Sequence, residues 1–256
     1  MNLSALVTGG SRGIGRAIAI QLAARGVRIA LHYRNNRKAA AATLASLQGD
    51  GHSLLDADLA DPDAATRLWN DAVERLGAVD ILINNAGLYI NHPLLGTDYA
   101  AWQAAWQLTL STNLVGPANL TFLAAQSMNA RAEHDEAFGR GRIVNISSRG
   151  AFRGEPDCPA YAASKAGLNA LSQSLARALA PHAICLYCIA PGWVATEMAE
   201  SHLSGPGGPD ILAQHPLGRV NRADEIAAAT VYCALDAPPA MTGGIIDVNG
   251  ASYLRS

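Results

Sequence analysis

Lysine is almost absent from this chain: Lys38 and Lys165 stand alone against seventeen arginines in 256 residues. Arginine serves here wherever a generic cation is needed, which makes the choice of lysine at 165 informative. Cysteine is scarce as well. Cys158, Cys185, Cys188 and Cys233 are too few and too scattered to form a disulfide framework in a chain of this length. Cys185 and Cys188 match C-x-x-C formally, but inside an apolar strand-like run with no second pair. They read as buried thiols, and no metal site is expected. Aromatic residues make up only 5%. Nineteen basic and twenty-one acidic residues leave a net charge of −2, so there is no overall positive field to hold nucleic acid or an anionic membrane. No apolar run approaches the about 18 residues that suggest a membrane-spanning helix, and no membrane partner is expected. No charged stretch followed by an apolar one precedes Leu3–Thr8, which makes a cytoplasmic setting the expectation.

What the chain does contain is apolar and regularly spaced. Half the residues are hydrophobic and 16% are charged, a globular composition. Apolar runs predict strands over 3–8, 27–33, 52–57, 79–84, 141–147, 184–190 and 244–248. Helical periodicity falls between them, over 13–25, 36–48, 62–76, 98–112, 114–131, 159–180 and 223–236. This βαβα order predicts an α/β fold: one doubly wound, mostly parallel seven-stranded sheet with helices on both faces, in a single domain covering 1–256. Two segments match no regular element. Residues 129–141, with Glu133-His-Asp-Glu136, read as a solvated loop or helix extension, and 197–218, rich in glycine and proline, reads as a lid over a binding site.

Thr8-Gly-Gly-Ser-Arg-Gly-Ile-Gly15 follows the first strand and opens the first helix. Gly9, Gly13 and Gly15 permit a tight turn and close backbone approach, and the helix N-terminus attracts negative charge, so the turn suits a pyrophosphate. Four further signals follow in order: Asn84-Asn-Ala-Gly87, Asn113, Ser148 and Tyr161-Ala-Ala-Ser-Lys165. With Pro191-Gly192, Thr196, Thr242-Gly-Gly and Val248-Asn-Gly250, the chain resembles the short-chain dehydrogenase/reductase family over nearly its whole length. It looks most like the compact subgroup that includes the 3-oxoacyl-carrier-protein reductases.

The resemblance implies a Rossmann fold and an oxidoreductase that moves a hydride between a nicotinamide nucleotide and a small-molecule carbonyl or alcohol. It implies Tyr161 as proton donor and acceptor, Ser148 as the group orienting the substrate oxygen, Asn113 as the holder of a relay water, and Lys165 beside the tyrosine. Residues four apart on a helix share a face, so the Tyr161 phenol and the Lys165 ammonium reach one place. An unperturbed phenol titrates at about 10, and a nearby cation is expected to lower that value. Ser147 reads as structural.

NADP(H) is the expected cofactor. The second strand ends His32-Tyr33-Arg34-Asn35, with Tyr33 where NAD-using relatives resemble one another in carrying aspartate. Arg34 and Arg12 supply guanidiniums for a 2′-phosphate. The nucleotide-binding residues implied by the resemblance are Gly9, Ser11, Arg12, Gly13, Ile14, Gly15, Tyr33, Arg34, Asp58, Leu59, Asn85, Ala86, Gly87, Tyr161, Lys165, Pro191, Gly192, Val194 and Thr196. Asp58 has a helix N-cap as its competing role, one that Asp61 fits better.

Substrate identity is less legible. Leu88, Tyr89, Ile90, Arg149, Phe152, Arg153, Trp193 and Met198 flank the expected cleft, with Trp193 and Phe152 offering apolar contact; Arg149 and Arg153 could instead read an anionic group, although as charges on exposed loops they read first as solvated. Carbonyl reduction with NADPH is the leading function. Oxidation of a sugar, steroid or other alcohol is the alternative within enzymes, and a non-catalytic NADP(H) sensor is the alternative outside them. Homotetramer formation through the helices near 98–131 and 159–180 is expected, and an acyl carrier protein is a candidate partner on the resemblance alone. Tyr187 departs from the family pattern, which has asparagine there.

Overall fold

The computed structural model describes residues 3–131 and 135–255. The first half alternates β1 (Ser4–Val7), α1 (Gly13–Ala24), β2 (Arg28–Tyr33), α2 (Arg37–Ala45), β3 (Ser53–Asp56), α3 (Pro62–Leu76) and β4 (Ile81–Asn84). The second half runs α4 (Tyr99–Leu110), α5 (Gly116–Asn129), β5 (Gly141–Ile146), α6 (Gly150–Arg153), α7 (Pro159–Leu179) and β6 (Ile184–Pro191). It continues through β7 (Val194–Ala195), α8 (Glu200–Leu203), α9 (Gly208–Ala213), β8 (Asn221–Arg222), α10 (Ala223–Val231) and β9 (Ile245–Val248). Each of the seven expected strands and seven expected helices has a counterpart. Among the described residues, no helix is long and apolar enough to cross a membrane.

Seven of these nine strands form one parallel sheet in the order β3-β2-β1-β4-β5-β6-β9, and β7 pairs separately with β8. Successive side chains on a strand point to opposite faces, and here both faces are buried. Ala5 and Val7 join Ile18 and Leu22 of α1 and Ile226 of α10, whereas Leu6 between them joins Leu68 of α3 and Leu120 of α5. Ile81 and Ile83 against Leu82 repeat the division, as do Cys185, Tyr187 and Ile189 against Ile184 and Leu186. Burying each Leu or Ile contributes about 1.5 to 3 kcal/mol, so helices on both faces are required. All four thiols are free and buried. Tyr187 is fully buried in the α1/α10 layer, its hydroxyl 3.5 Å from Pro238 O.

Three segments depart from expectation. The 98–112 and 114–131 helices form one helical run, joined by a π-helical turn over Ser111–Val115. Residues 197–218 are not irregular throughout, because α8 and α9 lie inside them. Pairing of β7 with β8, Val194 opposite Asn221, clamps the base of this excursion. In 129–141, Glu133 and His134 lie outside the described residues, but Phe138 is no solvated loop residue. It is 6% exposed and packs on the fully buried guanidinium of Arg142, which donates to the carbonyls of Ala137, Phe138 and Cys233.

The sheet order reverses between β1 and β4, where the connections leave in opposite directions. A crevice opens there at the carboxyl ends of the strands, the usual ligand position in such sheets.

Candidate active site

The phosphate-type turn is built by residues that have no other use for their shape. Gly9 adopts φ +63°, the left-handed region that favours glycine. A Cβ at Gly15 would collide with the carbonyl oxygen of Gly9 and the side chain of Asn85, so the first turn of α1 can pack this closely only with glycine there. The Thr8 hydroxyl donates to Ile83 O at 3.1 Å and accepts from the amides of Asn85 (2.9 Å) and Ala86 (3.0 Å), binding the end of β1 to the end of β4. His32 is an unforeseen part of the assembly. It is 2% exposed, Nδ1 accepts from Gly9 N at 3.1 Å, and Nε2 lies 3.1 Å from Ala57 O. Burial pushes its pKa down to about 4. The ring is therefore neutral, with its proton on Nε2.

Every residue assigned to the nucleotide from the sequence lines one cleft of 360 Å³, together with Ser148. The chemistry of the lining fits a dinucleotide phosphate. No side chain caps the N-terminus of α1 and no acidic residue lies in its first turn, which leaves its amide donors for an anion. Arg12 and Arg34 are exposed at the rim, and among the described residues neither forms an ion pair. Asp58 is free of capping duty toward α3, since Asp61 holds that position by accepting from Asp63 N at 2.9 Å.

β5 delivers Ser147 and Ser148, and α7 delivers Tyr161 and Lys165. Both serines line the cleft; the Ser147 hydroxyl turns to Lys165 O at 3.4 Å, a structural contact, and Ser148 Oγ accepts from Gly150 N at 3.0 Å. Burial pushes the pKa of the Tyr161 phenol up to about 12, against a smaller lowering by the nearby Ser148 hydroxyl. The expected depression by Lys165 is not what the structure shows. The ammonium sits 5.8 Å from the Tyr161 ring centre and donates to Ile146 O at 2.8 Å. Burial pulls its own pKa down to about 8. Desolvation acts on both groups toward their neutral forms.

Asn113 lies on the π-helical turn, fully buried behind the cleft wall. Its Nδ2 donates to Leu88 O (2.9 Å) and Ser164 Oγ (3.1 Å), and its Oδ1 accepts from Leu88 N at 2.8 Å. It fixes the segment carrying Tyr89. That ring meets Tyr161 (4.8 Å between centres), Trp193 (5.9 Å) and His202 of α8 (5.4 Å), an aromatic wall on the substrate side.

Leu88, Tyr89, Arg149, Trp193 and Met198 line the cleft as expected, whereas Ile90, Phe152 and Arg153 do not. Phe152 stacks on Tyr253 instead, at 6.4 Å. Arg149 is not exposed: it is 2% accessible. Glu155 was missed. Its carboxyl lines the cleft over Gly150, where a Cβ would lie 2.8 Å from Oε1. It sits in Gly154-Glu-Pro-Asp157, whose turn-like composition gives no hint of burial.

Comparison with known proteins gives one picture. A family model described as enoyl-(acyl carrier protein) reductase matches residues 9–251. The chain is 34% identical to a 3-oxoacyl-[acyl-carrier-protein] reductase of Staphylococcus aureus over 256 residues, covering 99% of each chain. It is 36% identical to the corresponding Escherichia coli enzyme over 250 residues, covering 98% of this chain and 97% of that one. A short-chain dehydrogenase from Burkholderia cenocepacia, solved in complex with NADP, superposes with a TM-score of 0.86 at 30% identity, over 98% of both chains. A short-chain dehydrogenase/reductase from Brucella melitensis, named as a glucose/ribitol dehydrogenase, gives 0.87 at 30% identity, over 99% of this chain and 98% of that one.

Proposed function

Since the chain belongs to the short-chain dehydrogenase/reductase family, we propose that it is an NADPH-dependent reductase of carbonyl substrates of the 3-oxoacyl type, with Tyr161 as the proton donor. The observation that carries this reading is that Ser148, Tyr161 and Lys165 line the same cleft as the phosphate-type turn. The full-length likeness to 3-oxoacyl reductases supports it from the side of sequence, and the likeness to an NADP complex supports the nucleotide.

The turn from Gly9 to Gly15, Arg12, Arg34, Asp58, Asn85 and Lys165 would hold NADP(H), with the two arginines serving the 2′-phosphate. When bound it supplies the hydride that the carbonyl carbon receives. The chain supplies the proton. With its pKa near 12, Tyr161 is protonated at neutral pH and hands its proton to the substrate oxygen as negative charge develops there. Ser148 donates to the same oxygen and fixes its position. Among the described residues Lys165 has one acceptor, Ile146 O, and its remaining N–H groups face the cleft, where they stabilise the phenolate left behind until solvent restores the proton. A neutral phenol suits reduction; oxidation of an alcohol starts from the phenolate, which burial disfavours. Asn113 acts through Leu88 as a positioning residue.

Residues 197–218 close over the substrate side, with His202 resting on Tyr89 and Trp193. The active form is a homotetramer, for which Leu108, Val115 and Phe122 offer exposed apolar surface on the α4–α5 run. The test is NADPH consumption with acetoacetyl and crotonyl thioesters, β-ketoesters and ketosugars. Reduction of the 3-oxo compounds is expected. Turnover of the crotonyl thioester alone, or of none of them, contradicts the reading.

A further inference from the structure

Beyond Ser148 the cleft carries charge that carbonyl reduction does not use. Arg149 is almost wholly buried, and Nη2 donates to Gln214 Oε1 at 2.8 Å, with Nη1 making only a long 3.4 Å contact to Ser252 O. Arg153, at the other end of α6, donates to the same Oε1, also at 2.8 Å. Gln214 cannot turn away freely, because its Nε2 donates to Asp210 O at 3.1 Å. Among the described residues neither guanidinium has a carboxylate within 4.0 Å. Two cations thus converge on one neutral oxygen.

His215 follows Gln214. It is 3% exposed, and among the described residues neither ring nitrogen has a hydrogen-bond partner. Arg149 contributes to lowering its pKa, which places the guanidinium within electrostatic reach of the ring. The acid that acts on Arg149 is Glu155. Burial raises the pKa of its carboxyl against the opposing pull of both arginines, and among the described residues it makes no ion pair with either. A buried guanidinium without a matched anion is costly, and a carboxylate or phosphate is the group whose geometry the arginine fork fits.

We propose that Arg149, Arg153 and Gln214 form an oxyanion-reading subsite, so that the carbonyl substrate bears a carboxylate or phosphate group received there while its ketone faces Ser148 and Tyr161. The proposal rests on the reductase reading and narrows it to anionic ketones. Arg149 makes the principal contact because it lines the cleft beside Ser148. Arg153 stands outside the cleft lining and reinforces the field through the Gln214 oxygen it shares with Arg149, and Gln214 couples the subsite to the segment over the cleft.

The test is calorimetry on the NADPH-loaded enzyme, with alcohols that form dead-end complexes. One arm compares 3-hydroxybutyrate with its methyl ester, the other glycerol 3-phosphate with glycerol. In one arm the anion is expected to bind at least about tenfold tighter than its neutral partner, as charge-assisted hydrogen bonds provide. That ratio should collapse toward unity in Arg149→Met and shrink in Arg153→Met, whose side chain is exposed and whose fold is the less exposed to damage. The arm that discriminates identifies carboxylate or phosphate. No discrimination in either arm overturns the proposal, as does discrimination that survives both substitutions. Reduction of methyl acetoacetate reports the reductase reading separately: its absence beside an intact binding ratio removes the reaction and leaves the subsite standing.

Discussion

Asn113 and Leu88 hold each other in both directions, the carboxamide donating to the Leu88 carbonyl at 2.9 Å and accepting from the Leu88 amide at 2.8 Å. This pair mimics one rung of a sheet between a π-helical turn and the loop that bears Tyr89. It explains why an amide side chain, rather than a carboxylate, is needed at a fully buried position: only an amide offers a donor and an acceptor on one plane.

Asn113→Ala leaves the Leu88 amide and carbonyl without that partner. Each buried group left unsatisfied costs about 1 to 3 kcal/mol. Chemical unfolding should show a loss of that order, with kcat falling more than the nucleotide Kd rises. Unchanged stability and rate would show that the loop holds itself.

His32 makes stability depend on pH. Its pKa is about 4 in the fold against 6.5 unperturbed. Between those values the unfolded chain binds more protons, so stability is complete above pH 6.5 and is lost as pH falls toward 4. Linkage puts the loss between pH 7 and pH 5 at about 2 kcal/mol. Urea midpoints at the two pH values should show it in the wild type and a smaller change in His32→Gln.

Nucleotide choice turns on Arg34. With Arg12 it should give NADPH about a ten- to hundredfold advantage over NADH. Arg34→Ala should weaken NADPH alone, and Arg34→Asp should invert the preference by repelling the phosphate and accepting from a 2′-hydroxyl. Calorimetric Kd values for both nucleotides decide it; equal wild-type affinities would contradict the assignment.

The layered core was legible because local pattern and tertiary burial coincide. Ala5, Leu6 and Val7 read as a doubly buried strand from composition, and they divide between the two helix layers as strand geometry demands. Asp61, Pro62 and Gly77 mark the ends of α3 in sequence and in space. The cleft around the glycine turn was legible for the same reason, since its residues lie at strand ends. The arginine end was legible only in part: the sequence offered Arg149 and Arg153 as candidates for an anionic group but set them on exposed loops, and gave no sign of Gln214 between them. Arg153 and Gln214 are 61 residues apart and meet through α9, a helix hidden by the glycine and proline around it. Nor does a sequence reveal desolvation: Lys165 beside Tyr161 suggested a depressed phenol, and only the buried setting reverses the sign.

Phe122, 63% exposed on α5, marks the surface through which copies of the chain should associate. Light scattering should show a species near four times 26.7 kDa, and Phe122→Glu should shift it to smaller assemblies. A monomer at micromolar concentration would contradict the tetramer.

The central claim is that Tyr161 gives the proton to a ketone oxygen. Tyr161→Phe keeps the ring that packs on Tyr89 and removes only the donor. The decisive measurement is the single-turnover rate of NADPH oxidation by the best 3-oxo substrate in wild type and Tyr161→Phe, with NADPH Kd measured alongside. The account predicts a rate lowered by about a hundredfold or more at nearly unchanged Kd; a variant that retains the wild-type rate would contradict it.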